Sequence, residues 1–474
     1  MSSFAGLQTA FLGVTAQRRA LDVVGQNIAN VNTPGYTRQR VEMSPVPSRG
    51  GIGLFTQQQV APGRGVSVDA ISRLGDAHLD NRVRSTAAAS GFASVRAAAL
   101  AALETSLREP GETGLSARLD AFWASWEDLA NRPGDPAAEA VVLEGATAVV
   151  SAITAGYQEV VDQWARGRSA LDGLVSDLNT AAAQVADLNA RIRSTAAAGG
   201  SVNELVDQRA AVAATLAALG GGEVRHRDDG TVDVLIGGNP IVQGTSVNRL
   251  VVTGAARVQD AAADPVQVEW AHRPGTPAGV GDGEIAAHVS LLAPAQPAGT
   301  GGVLAEAAAT YDALAADLAA AVNAVHTTGT TTSGAPAGDV FGFTPGVSAA
   351  AGLRVVVTAG GLATAAPGAG PLDGSVADAI AAIGRGAGSP GAVWAAFVTT
   401  TGAAARTAND RADLAALSAR TAVDLQLSTA GVDLDEETMN LLTYQRAYEG
   451  AARVMTVMDE MLDVLINRTG VVGR

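Results

Sequence analysis

Apolar residues at the start of the chain fall at alternating three- and four-residue steps: Phe4, Leu7, Phe11, Val14, Leu21 and Ile28, with Arg18 and Gly25 as weak members of the series. Leu7, Val14, Leu21 and Ile28 recur every seventh residue, which predicts an amphipathic helix with a narrow coiled-coil seam. The pattern halts at Thr33-Pro34-Gly35. Proline cannot continue a helix and biases Thr33 away from one, and Gly35 supplies a turn. The far end repeats the logic. Leu441, Tyr448, Met455 and Leu462 recur every seven residues, as do Tyr444, Ala451, Met458 and Leu465. Asp433, with Glu436 three residues on, marks the start of that helix, and Arg468 followed by Gly470 marks its stop. Two seams at opposite ends of one chain predict a helix pair, parallel or antiparallel. On the pattern alone, the same residues serve equally well as two core helices of an ordinary globular domain. An isolated helix of this length is marginal in water, so a lone pair of them calls for support from neighbouring subunits.

Between the ends, Tyr36 to about Ala70 is rich in Pro, Gly, Ser and Gln, with short strands such as the one in GRGVSVDAI. A helical block follows, in which Leu171, Leu178, Val185 and Ile192 repeat every seven residues and predict a long rod-like helix. STAAAGG breaks it, and Ser201 with Glu204 reads as a capping box for a second helix, giving an αα-hairpin. Then β-branched runs separated by Asp229-Gly230 and Gly237-Gly238 predict hairpins. Helices return at about Leu304–His326 and Ala403–Ser428. The fold class expected is mainly α with a β-rich outer domain (α+β). It is an elongated molecule with paired N- and C-terminal coiled-coil helices, a long helical rod layer and a small β domain. In numbers, 1–71 and 431–474 form an inner core module and 72–219 a helical rod domain. Residues 220–298 form the β-rich outer domain, 299–326 and 403–430 returning rod helices, and 327–402 a variable Gly/Ala/Thr-rich outer segment.

Composition changes this picture little. The 474 residues carry a formal net charge of −15, and an acidic chain lacks the basic patch that a nucleic-acid partner needs. No cysteine is present, which excludes disulfides, thiolate metal sites and cysteine nucleophiles. No unbroken run of about 18 apolar residues occurs, so no membrane insertion is expected, and the N-terminus does not read as a cleaved signal peptide. The five histidines stand at 78, 226, 272, 288 and 326, with no pair at metal-ligand spacing. HRDDG at His226 lacks the rest of a kinase signature and reads as a hairpin turn. No Walker, H-E-x-x-H or G-x-S-x-G motif is found. No catalytic residue, cofactor or metal is therefore expected, and the functional residues belong to interfaces.

QNIANVNTPGYTRQ resembles the N-terminal motif shared by bacterial flagellar rod, hook and hook-associated proteins. GVDLDEETMNLLTYQRAYEGAARVMTVMDEMLDVLINR resembles the C-terminal helix of the same axial family. GVDLDEE, NELVDQR (Asn203 to Arg209), GVSVDAISRLGDAHLDNRVRS and GLSARLDAFWASWEDLANRPGD point, within that family, to its hook-associated members. The resemblance implies a structural adaptor ring joining hook to filament, formed by copies of the chain through paired terminal helices. Hook protein would lie below, and a second junction protein and the filament above. It further implies an extracellular location, an export chaperone and passage through the flagellar type III export apparatus. The N-terminal interface would comprise Phe4, Leu7, Phe11, Val14, Leu21, Ile28, Asn27, Asn30, Asn32, Pro34, Gly35 and Tyr36. The C-terminal interface would comprise Leu441, Tyr444, Tyr448, Met455, Met458, Leu462 and Leu465. The asparagines would satisfy backbone groups where the helix meets a neighbouring subunit, and Tyr36 would anchor there. One alternative in the same family is a hook or distal rod protein. Another, of a different class, is an extracellular binding or enzymatic domain in the middle region.

Overall fold

The computed structural model describes residues 3–47, 63–297 and 299–468. Helix α1 spans Ser3–Ala29 and ends at the asparagine-rich turn. Strands β1 (Gln39–Pro45) and β2 (Val66–Arg73) pair antiparallel with a bulge at Glu42/Met43. Helices α2 (Ala77–Leu107), α3 (Leu115–Asn131), α4 (Pro136–Ala197) and α5 (Asn203–Gly220) follow. Next come β3 (Glu223–His226), β4 (Val232–Ile236), β5 (Asn239–Gln243) and β6 (Ser246–Val247), a four-stranded antiparallel meander. Strands β7 (Leu250–Thr253) and β8 (Gln267–Trp270) form a separate ribbon. Helices α6 (Gly283–Leu292) and α7 (Val303–His326) lead into short strands β9 (Thr330–Thr331) and β10 (Phe341–Phe343). The turn of helix α8 (Ala349–Gly352), strands β11 (Leu353–Val355) and β12 (Ala363–Ala365), and helix α9 (Ser375–Ile383) complete that region. Two helices close the chain, α10 (Pro390–Ala430) and α11 (Leu434–Asp463), the latter running into a π-turn at Val464–Arg468.

Helix α4 is the spine. Its 62 residues span about 93 Å at 1.5 Å per residue. Asp135 caps its start and Pro136 occupies the first turn, where a missing N–H costs nothing. Leu171, Leu178, Val185 and Ile192 are all buried. Packed on α4 are α3, α5, α6 and α7, and one continuous core threads Trp126, Trp164, Tyr311, Phe341 and Trp394. A smaller alanine-rich cluster, Ala97, Leu100, Ala405 and Ala408, joins α2 to α10. Neither α1 nor α11 contributes a residue to these clusters. By composition α2 and α4 are long and apolar enough to cross a bilayer, which the search for unbroken apolar runs missed. In this fold α4 carries the rod's core.

Several boundaries differ from those read in the sequence. Strand β2 continues to Arg73, across the expected division at 71/72. Helix α6 falls within 220–298, yet it packs on α2, α4 and α5 in the rod. The expected boundary at 402/403 lies inside α10, which starts at Pro390. Most of all, 327–402, expected as a variable Gly/Ala/Thr-rich outer segment, supplies residues to the main core. Val340, Phe341, Leu353, Leu362, Val376 and Ile380 are buried in the main core. Strands of two or three residues and a nine-residue helix are too short to show a period. No capping box forms at Ser201, because the N-cap position falls on Val202, which has no capping side chain, and Glu204 accepts a hydrogen bond from Gln39 instead.

Candidate assembly module and its polar clasp

Helices α1 and α11 pair antiparallel. A Cβ on Gly6 would meet the Met458 side chain, one on Gly13 would lie 3.5 Å from Ala451 Cβ, and Asn27 bonds Glu437. The two residue numbers of each pair sum to the same value, 464, so the register holds along the whole length. Small residues allow this approach, since α1 buries Ala10, Ala16, Ala20, Val23, Val24 and Asn27. That face differs from the heptad seam read in the sequence. Leu7, Val14, Leu21 and Ile28 are only half-buried beside it, while Phe4 and Phe11 stay 67% and 57% exposed. Gly and Ala permit the closest contact between backbones, so the small face takes the partner helix and the bulky one is left at the edge. On α11 the less exposed stripe is Leu441, Tyr444, Tyr448, Met455, Met458 and Leu462, and Leu465 is exposed.

At the α1 terminus, Asn27 is 1% exposed and all its hydrogen-bonding capacity is used inside the chain. Its Nδ2 donates to Gln39 O (2.9 Å) and Glu437 Oε2 (3.1 Å). Its Oδ1 accepts from Tyr36 Oη (2.9 Å) and Gln39 N (3.0 Å). Within the chain, the Asn27 amide and the Tyr36 hydroxyl thus bond each other, with Gln39 and Glu437 completing the set. Asn30 closes the helix end locally, donating to Gln26 O and accepting from Thr33 Oγ1. Asn32, Pro34 and Gly35 are exposed on the turn. Gly35, at φ +78°, adopts the left-handed conformation that glycine tolerates best.

Beyond that turn, Thr37, Arg38 and Gln39 are held from three directions. Arg38 Nε bonds Glu437 Oε1 at 2.7 Å and its Nη1 bonds Glu436 Oε2 at 2.8 Å, while Asp433 caps α11 just before them. The Arg38 N–H donates to Ala430 O, the last residue of α10. From α5, Asp207 accepts the Thr37 N–H at 3.0 Å and pairs with Arg73 Nε. Glu204 and Asn203 bond the Gln39 side chain at 3.2 and 3.0 Å. Three motifs far apart in the chain, TPGYTRQ, NELVDQR and DLDEE, thus form one polar clasp. Hydrogen bonding to Glu436 raises the Arg38 pKa, and the same bond lowers that of Glu436. Burial, helped by Glu204, Asp207 and Glu437, pushes the Tyr36 hydroxyl up to about 12, so it stays a donor.

Reading the sequence missed Glu204, Asp207 and Glu437 as contact residues, because they looked like helix-capping acids or family tags. The signal available was that these acids lie beside, and not within, the apolar stripes. Among the described residues, no group of three or more His, Asp or Glu could hold a metal ion.

Paired end helices clasped to a helical rod make a structural subunit, and the comparisons with known proteins place it in the flagellar axial class. Residues 7–37 match the flagella basal body rod protein family, and residues 426–468 match the flagellar basal body rod FlgEFG protein C-terminal family. Residues 100–341, half of the chain, match the flagellar hook-associated protein FlgK helical domain, and the chain belongs to that FlgK family. It is 29% identical to flagellar hook-associated protein 1 of Bacillus subtilis over an alignment 513 positions long, covering 100% of both chains. With the Salmonella typhimurium protein of the same name it shares 30% identity over 266 residues, 56% of this chain and 46% of that one. The fold is similar to the flagellar hook junction protein FlgK from Burkholderia pseudomallei, at a TM-score of 0.63 and 15% identity. That match covers 74% of this chain and 100% of the other. These relatives are structural flagellar proteins.

Proposed function

We propose that this chain is a subunit of the adaptor ring between hook and filament and polymerises through its paired terminal helices. One observation carries the reading. The α1–α11 pair closes on small residues and leaves large apolar side chains outside: Phe4, Phe11, Met439, Leu442, Met461 and Ile466 are exposed. Large apolar side chains left exposed along both helices of the pair are suited to contacts with another protein. Copies of the chain on either side would cover it, with hook protein below and the second junction protein and filament above. The half-buried Leu7, Val14, Leu21 and Ile28 would complete the contact, and Leu465 would extend it at the far end. Met461, exposed beside the pair, offers an adaptable side chain for imperfectly repeated contacts, while Met455 and Met458 lie on the less exposed stripe. An export chaperone and the flagellar type III apparatus would handle the chain before it reaches the exterior. The long α4 and the match to a helical domain favour this role over that of hook subunit.

Electron microscopy of cells lacking the gene, with the medium assayed for filament subunit, tests the role. Hooks without filaments, and filament subunit in the medium, is the expected result. Rods without hooks would make it the hook subunit, and normal filaments would overturn the reading. Replacing Leu462 by aspartate puts a charge in the helix seam. It should abolish assembly while circular dichroism still shows a folded rod; global unfolding would count against a separate terminal module.

A further inference from the structure

Helix α10 shows two different sides. Trp394 anchors its start in the main core. Further along, Ala405 and Ala408 pack on Ala97 and Leu100 of α2, and Gln426 bonds Asp80 of the same helix at 2.6 Å. The opposite side carries Leu414 and Leu417, 65% and 61% exposed, with exposed Thr421 and Leu425 continuing the line. Those positions follow the three- and four-residue steps of a helix face that meets another helix.

Charges flank the leucines in a definite order. Arg406, Asp410, Asp413, Arg420 and Asp424 are all exposed, and among the described residues none of them takes part in an ion pair. Ala415 is the midpoint between Arg406 and Asp424, and also between Asp410 and Arg420, while Leu414 and Leu417 straddle it. The order of signs is therefore antisymmetric about Ala415. Arg406 and Asp424 stand 18 residues apart, which is five whole turns at 3.6 residues each, so they lie on one line along the helix. Two copies of α10 laid antiparallel about a two-fold axis at Ala415 set Arg406 of each opposite Asp424 of the other. Asp410 and Asp413 come within reach of Arg420, and the leucines meet in the middle. A parallel pair in register would instead set each charge against its like, which is unfavourable. Helix α10 as a whole carries three arginines and three aspartates. In a chain of net charge −15, such a neutral strip is where two acidic molecules approach with least repulsion.

We propose that this face of α10 docks on the same face of a second copy of the chain, antiparallel, to form a symmetric dimer. The contact is isologous and closes at two copies. In a ring all copies point the same way, so the dimer is a form of the free chain. It covers Leu414 and Leu417 before assembly, and it does not rest on the ring reading.

Sedimentation equilibrium of the full chain over a range of concentrations tests this. A monomer–dimer equilibrium is expected. It should weaken about tenfold or more in Arg406→Asp and in Asp424→Arg, since by symmetry each turns two attractions into two repulsions. Both side chains are exposed, and circular dichroism of each variant should match the native chain. Mixed in equal amounts, the two variants should dimerise as well as the native chain, because every facing pair is again opposite in sign. A chain that is monomeric at every concentration would overturn the proposal and leave the leucines to a neighbour in the ring. An association that neither substitution weakens, or folded variants that fail to pair on mixing, would overturn it equally.

Discussion

Replacing Asn27 by alanine should loosen the terminal module without touching the rod. The amide makes four hydrogen bonds at 2.9–3.1 Å, one of them to the Glu437 carboxylate. At about 0.5–1.5 kcal/mol each, their loss costs about 2–6 kcal/mol and leaves buried groups of Gln39 and Glu437 unpaired. Alanine returns about 0.5 kcal/mol of helix propensity, and a water entering the vacated space recovers part of the rest. The hydrogen bonds win, and a net loss of about 3 kcal/mol is expected, equivalent to about a hundredfold in an opening equilibrium. Hydrogen exchange followed by mass spectrometry on the full chain reads this directly, because separate units open with their own free energies. Amides of α1 and α11 should exchange about a hundredfold faster, while those of α4 keep their protection, since the main core includes no residue of either terminal helix. Unchanged exchange in α1 would refute the clasp. Equal acceleration in α4 would show that module and rod unfold as one.

Two further outcomes follow from the rod. A Cβ at Gly156 would lie 2.3 Å from Tyr311 Oη, and Tyr311 is buried against Trp394. Gly156→Ala should lower the melting temperature, overpacking of about 1–3 kcal/mol outweighing a helix-propensity gain of about 1 kcal/mol; a rise would show that Tyr311 has room to move. His326 is neutral in the fold: Nε2 accepts the Ala363 N–H at 2.8 Å, so Nδ1 carries the proton shared with Gly338 O at 2.7 Å. Burial lowers its pKa from 6.5, against smaller opposing effects of Gly338 and Asp339. A depressed histidine contributes stability that is full above pH 6.5 and is lost as pH falls through the lower folded value. Exchange around Gly338 and Ala363 should therefore rise in mild acid, and an NMR titration of His326 with its midpoint at or above 6.5 would refute the assignment.

Where local pattern governs, the sequence was readable. The seven-residue repeat of Leu171 to Ile192 marked the buried face of α4, and Asp433 marked the cap of α11. Pro34 and Gly35 marked the break after α1, and Asp229-Gly230 the turn between β3 and β4. Segment 327–389 was unreadable, because Gly, Ala and Thr give no hydrophobic period and its strands span two or three residues. It folds only because α3, α4 and α7 offer a surface on which to lay it.

By itself, then, the sequence determined that both ends are amphipathic helices, where α1 breaks and how α11 begins, because these follow from the period of the side chains and from proline, glycine and capping chemistry. The tertiary structure alone decided which face of α1 meets α11. Two stripes were available, and the one lined by Gly6, Ala10, Gly13 and Ala20 prevailed because small side chains let the helices approach most closely. It also decided the clasp. Thr37 finds Asp207 across 170 residues and Arg38 finds Glu437 across 399, and no periodicity along a chain records which distant charges will share a dry corner.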